Sequence, residues 1–197
     1  ETDTRVDRAP CARVSGYDCS VKHRCPYFSD RAIASNAPRA AMTLAYFMQT
    51  AGSDVFRQRD VVVVDEAHGL AEWAEMYATV ELGPETVPVW EDVGVPDLSA
   101  ADAPVERTVR FAETLADVCE TAKAELQTSD ELTPEEATER DRLAELVSDL
   151  RWFVRDARDP DSPTTWVVDQ RADDGLQIQP LNPERHLAHT VWDRGQR

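Results

Sequence analysis

The chain has 197 residues, 42% of them hydrophobic, and a formal net charge of -17 at pH 7. That is enough apolar material for one or two small folded domains and too much for a disordered acidic tail. Acidic groups number 38 against 21 basic ones, and only Lys22 and Lys123 are lysines. Such a composition suits a halophile's proteome, where concentrated salt shortens the reach of like-charge repulsion.

No apolar run is long enough to cross a bilayer, and the first residues carry neither the basic region nor the apolar stretch of a signal peptide. The expectation is a cytoplasmic protein with no membrane partner. The chain starts without Met and runs out at Trp192 to Arg197 with no closing element, which reads as an excised piece of something longer.

Charge is unevenly spread. Residues 1 to 42 hold seven basic and five acidic groups, about +2, and the remainder carries about -19, so only the front end would welcome a polyanion. Three of the four cysteines, Cys11, Cys19 and Cys25, lie there in a loop-rich segment with little apolar periodicity. In a cytoplasmic protein clustered cysteines point to metal ligands rather than disulfides. Their spacing does not fit the paired short knuckles of a zinc ribbon, and by itself it leaves an iron-sulfur cluster and a zinc site both open. Cys119 lies mid-helix and reads as a small core residue, so a further ligand is expected upstream.

From Asp30 to about Thr50, Ile33, Ala37, Ala41, Leu44 and Phe47 recur at helical intervals, with a break at Pro38. Val61-Val62-Val63-Val64 follows, a β-branched run predicting a strand buried on both faces of a parallel sheet. Asp65-Glu66-Ala67-His68 comes directly after it, then a helix through Leu70, Trp73 and Met76. Strand, acidic loop and helix are the parts of an α/β nucleotide-binding layer.

Two carboxylates at the C-terminal end of a buried strand stand where open α/β sheets bind ligands. In such NTPases an Asp at this place holds the Mg2+ that bridges the terminal phosphates, and a neighbouring acid orients or deprotonates the attacking water. Asp65 is assigned to the metal and Glu66 to the water, with His68 placed to couple the nucleotide site to a neighbouring domain. The plainer alternative is that Asp65 and Glu66 only cap the next helix.

After Gly83-Pro84 a linker punctuated by Pro88, Pro96 and Pro104 marks the expected domain boundary. Val105 to Leu126 then patterns a long amphipathic helix. A second begins at Thr133-Pro134-Glu135-Glu136, which matches a capping box with Pro at the first helical position. Residues 165 to 170 and 176 to 179 flank a turn and predict a β-hairpin.

Taken together, Cys25-Pro26-Tyr27-Phe28, followed about forty residues later by Val61 to His68 and Gly69-Leu70, resembles the iron-sulfur superfamily 2 DNA helicases of the XPD and DinG type, here of expected haloarchaeal source. In that family a Cys-Pro pair with two aromatic residues supplies the last ligand of a 4Fe-4S cluster and precedes the DEAH box. The resemblance implies an α/β fold with a helical insertion: a loop-rich iron-sulfur segment (1 to 30), part of helicase motor domain 1 (31 to 83), a mainly α arch-like domain with a small hairpin (84 to 185), and a return towards the motor (186 to 197).

It further implies ATP-dependent unwinding of duplex or forked DNA in the 5' to 3' direction, Mg2+ and ATP at Asp65 and Glu66, and cluster ligation by Cys11, Cys19 and Cys25. Lys22, Arg24, Tyr27 and Arg31 become candidates for contacts with single-stranded DNA, although each also suits an ordinary surface. The acidic arch would face protein partners.

No Gly-x-x-x-x-Gly-Lys followed by Ser or Thr occurs, so the phosphate-cradling loop is not in this chain, and the expectation is that the chain alone is inactive. The competing reading is a non-catalytic, metal-stapled acidic interaction module. A DEAH ATPase acting on RNA is a third, which the cysteines argue against.

Overall fold

The computed structural model describes residue 11 and residues 19–50, 56, 58–98, 102–128, 132–171 and 175–195. In chain order the named elements are α1 (Pro26–Asn36), α2 (Leu44–Gln49), α3 (Leu70–Ala78), β1 (Val80–Leu82), α4 (Pro104–Gln127), α5 (Pro134–Arg158), β2 (Trp166–Gln170), β3 (Leu176–Pro180) and α6 (Glu184–Thr190). They fall into two compact units, one built on Thr79–Pro180 and the other on Cys19–Ala78 with the chain from Leu181 onward.

In the first unit the helical periodicity of the sequence becomes a packed seam. Val109, Ala112, Leu115, Ala116 and Cys119 of α4 meet Leu143, Val147, Leu150 and Phe153 of α5 in one buried cluster. Fully burying a side chain of Leu or Phe size contributes roughly 1.5–3 kcal/mol. The Cys119 thiol is pushed up to about 11 by that burial, so it stays a protonated, inert core group.

Helix α5 starts as its sequence demands. Thr133 Oγ1 accepts from the Glu136 amide at 3.2 Å, and Glu136 Oε2 accepts from the Thr133 amide at 2.8 Å. The reciprocal pair satisfies two helix-end donors and is worth about 1 kcal/mol.

β2 and β3 form the expected hairpin, closed by the Arg171 amide donating to the Gly175 carbonyl at 2.8 Å. Residues 172–174 of its turn lie outside the described residues. β1 joins on the far side, giving an antiparallel sheet of order β1-β3-β2 with Val80 opposite Ile178. The period-2 pattern of β3 sends Leu176 and Ile178 into the core.

Trp166 packs edge-on to Phe153 at 4.9 Å between ring centres, and its indole N–H donates to Asp156 Oδ2 at 2.8 Å. Asp156 Oδ1 accepts from the Ser162 hydroxyl at 2.9 Å. Asp156 is 2% exposed, and a buried carboxylate is tolerated because donors meet it.

The segment read as a linker behaves differently. Val87 and Trp90 are buried, and Val89, Val93, Val95 and Leu98 pack against the same core. Proline spacing marked it as irregular, and irregular backbone still buries apolar side chains when its amides are satisfied locally. Thr86 and Val87 do so by donating to the Gly83 carbonyl.

The second unit has a smaller core of Met48, Leu70, Ala74 and Val191, with Leu44, Phe47, Val64, Tyr77 and Leu187 partly buried around it. Two arginines stitch its helix ends. Arg59 donates to the carbonyls of Ala37 at 2.8 Å and Ser35 at 3.0 Å, taking up acceptors that the end of α1 leaves over. Arg194 lies 4.0 Å from the Phe47 ring centre and donates to the carbonyls of Phe47 and Phe56 and to Thr50 Oγ1.

The parallel sheet expected around Val61–Val64 is corrected here. Among the described residues the named strands are all antiparallel and lie in the first unit, and residues 61–64 form no strand. A strand exists through its ladder, and the nearest pairing is one parallel bridge between Arg59 and Gly195. Instead of burial on both faces, Val62 and Val64 are half-buried, while Val61 is 73% and Val63 86% exposed. The mixture of helices with a small sheet remains compatible with the α/β class.

Candidate nucleotide and nucleic-acid site

The Asp65–Glu66 turn follows the valine run and leads through a short 3-10 turn, Ala67–Gly69, into α3. Asp65 Oδ1 accepts from the Glu66 amide at 2.9 Å. Glu66 has φ 54° and ψ 38°, and among the described residues it is the one non-glycine with positive φ. A carboxylate-bearing residue in the left-handed region costs of order 1–3 kcal/mol, and such strain collects at functional sites. Glu66 is the N-cap residue of the 3-10 turn, and its side chain makes no cap bond there.

His68 Nδ1 lies 3.2 Å from Glu66 Oε2, and both side chains are exposed. The turn thus presents two open carboxylates and an imidazole on one short stretch of backbone. Carboxylate oxygens suit a hard cation such as Mg2+, and Asp65 would hold it. A carboxylate so exposed could also accept a proton from a nearby water.

The second group lies at the front. A 3-10 turn, Lys22–Arg24, separates Cys19 from Cys25; the Lys22 amide donates to the Cys19 carbonyl at 2.9 Å and the Cys25 amide to the Lys22 carbonyl at 3.2 Å. Cys25 is the N-cap residue of α1, and its side chain makes no cap bond. Cys11, Cys19 and Cys25 are each half-buried and unbonded to another sulfur. Among the described residues no three Cys, His, Asp or Glu side chains gather into a metal-holding group.

Lys22 Nζ sits 5.2 Å from the centre of the Phe28 ring, and Phe28 meets Tyr27 edge to face at 5.3 Å. Arg24 Nε donates to His23 Nε2 at 3.0 Å. Tyr27 and Arg31 stand one turn apart on α1 and are half-buried. Among the described residues no hydrogen bond or ion pair joins this group to the Asp65–His68 turn. Sequence reasoning did not single out Tyr46, whose phenol is held above its usual value by burial and then by Tyr27, against the opposing charge of Arg31. Its sequence signal was weak: one aromatic residue in the short helix after Thr43.

Residues 17–87, roughly a third of the chain, match the DEAD_2 family model. That segment is a helicase-related domain. The domain type occurs in helicases of the XPD and DinG type, and both groups of site residues from Cys19 onward fall inside the match. No match was found among curated proteins or among solved structures. No helix among the described residues is long and apolar enough to cross a membrane.

Proposed function

We propose that this chain is part of an ATP-dependent DNA helicase of the XPD and DinG type that unwinds duplex DNA in the 5' to 3' direction in the cytoplasm. The observation that carries the reading is the strained Glu66 turn, with Asp65 and His68 around it, inside the helicase-related segment. Asp65 would hold Mg2+, which when bound neutralises charge on the terminal phosphates of ATP. Glu66 orients the attacking water and takes its proton on the carboxylate, and His68 holds that carboxylate. Lys22, Arg24, Tyr27 and Arg31 line the single-strand path, and residues 84 to 185 form the arch-like domain, whose acidic surface faces proteins rather than DNA.

Ligation of a 4Fe-4S cluster by Cys11, Cys19, Cys25 and a further residue rests on the family resemblance carried by Cys25-Pro26-Tyr27-Phe28, since the cysteine spacing alone suits zinc as well. The second reading, an acidic interaction module without turnover, is favoured by the self-contained core of Thr79–Pro180. Glu66→Gln in the complete polypeptide separates the two. The helicase reading expects ATP turnover to fall about 100-fold or more while single-strand binding is unchanged. Retained turnover would remove Glu66 as the base, and a complete polypeptide without any turnover would leave the module.

A further inference from the structure

We propose that Arg59 is a positioning residue for the acidic turn: it ties the far end of α1 to the segment that presents Asp65 and Glu66, so that single-stranded nucleic acid bound at the front acts on nucleotide turnover. The proposal rests on the function proposed above, and it adds the link between the front segment and the turn.

Helix α1 is gripped by its ends rather than by its faces. None of its residues is buried, so side-chain packing does little to fix it, and a thinly packed element is the kind that moves. Lys22, Arg24 and Cys25 stand at its start. At its other end, about 16 Å away along the helix, Arg59 reaches across with both terminal nitrogens. Nη1 donates to the Ala37 carbonyl at 2.8 Å and Nη2 to the Ser35 carbonyl at 3.0 Å. The helix dipole favours a cation at this end, and the planar fork of the guanidinium makes the grip directional.

The main chain of Arg59 is anchored separately. Its amide donates to the Arg194 carbonyl at 2.8 Å, and Arg59 pairs with Gly195 in the parallel bridge. Asp65 stands six positions further on. Between them, Val62 lies against Gly195, 3.6 Å from where a side chain there would begin, and Val64 packs on the smaller core. Val61 and Val63 are exposed. This alternation is that of extended backbone, and an extended stretch held along one side passes a displacement on instead of folding it away.

Glu66 sits just beyond that stretch, and its left-handed backbone persists only while its surroundings hold it. A nucleic acid drawn onto Lys22 and Arg24 shifts the helix behind them. Arg59 must then move with α1 or give up both bonds, and the movement arrives where the backbone has a second conformation within reach.

The test is made on the complete polypeptide, with oligo(dT) as the nucleic acid and ATP or a non-hydrolysable ATP analogue as the nucleotide. In the parent, oligo(dT) should raise ATP turnover and the analogue should change oligo(dT) affinity, each several-fold. Arg59→Met keeps an unbranched stem and removes both donors. It is expected to bring the ratio of turnover with and without oligo(dT) down to about one, and to abolish the effect of the analogue on affinity, while oligo(dT) still binds. Arg59→Lys, which keeps the charge and loses the fork, should fall between. A residue that only supports the fold would lower both turnover rates in proportion, so the ratio reads the link and not stability.

A parental ratio in Arg59→Met overturns the proposal, and where that variant does not fold, a parental ratio in Arg59→Lys does so. Arg194→Met controls for general loosening: it removes the side-chain bonds to Phe47, Thr50 and Phe56 and leaves those of Arg59, so an equal collapse of the ratio there also overturns the link. A parent that turns over ATP and binds oligo(dT) without either affecting the other overturns the link and leaves the proposed function standing. A parent that does neither takes both away.

Discussion

The two units of this chain divide its charge and its apolar surface in opposite ways. Thr79–Pro180 carries 25 acidic and 9 basic residues, whereas Cys19–Ala78 and Leu181–Arg197 together carry nine of each. The large hydrophobics exposed among the described residues are Val21, Ile33, Val61, Val63, Trp73, Met76, Leu181 and Trp192, and every one belongs to the neutral unit. Net charge is thus a property of the unit whose core is closed, and it lies on a surface that has already buried its apolar side chains. The neutral unit has apolar faces left over and, lacking the acid, is the one that tolerates a polyanion.

Substitutions make this contrast measurable. Phe153, fully buried between α5 and β2, should cost about 3–5 kcal/mol when replaced by Ala. Amide exchange over α4 and α5 would read this as a lost protected core. A cost under about 1 kcal/mol would mean that the acidic unit is not the self-contained body described above.

A pH titration should then act on the neutral unit. Burial, and after it the neighbouring His189, pushes the His186 imidazole down to about 4. The folded chain therefore refuses a proton that the unfolded chain takes up near 6.5. Stability from the neutral His186 is complete above about 6.5 and is lost as the pH falls towards about 4. After solvent screening the loss is on the order of 1–2 kcal/mol. Exchange rates of α6 amides should rise over that window and stay flat in His186→Leu; a profile unchanged by the substitution would show that another group controls it.

The smallest effect is expected at the open apolar face. Met76 is 56% exposed, so Met76→Ser should change the stability of the chain by no more than about 0.5 kcal/mol. A cost near that of Phe153→Ala would show that this face is covered in solution and would end the contrast between the units.

Much of the acidic unit was legible in the sequence because its signals are local. Amphipathic spacing in 105–126 and 143–154, the Thr133 and Glu136 box, and the alternation around residues 166–179 each depend on neighbours within a few residues. β1 was not legible: three residues, Val80–Leu82, make a strand only by pairing with Leu176–Ile178, almost a hundred positions away. The burial of Val87 and Trp90 escaped for the same reason, since prolines announce irregular backbone and say nothing of what packs beneath it.

The site divides along the same line. Residue types and their order, Asp65-Glu66-Ala67-His68 after four valines and Cys25-Pro26 before two aromatic rings, were determined by the sequence alone, because chemistry belongs to the side chain. Their arrangement was not. The left-handed backbone at Glu66, the bond from the Glu66 amide to Asp65, and the packing of Tyr46 on Phe56 arise from how turns and helices meet. A run of four valines specifies extended backbone, but only neighbouring strands decide whether it becomes the buried centre of a sheet, and here one of its faces is left to solvent.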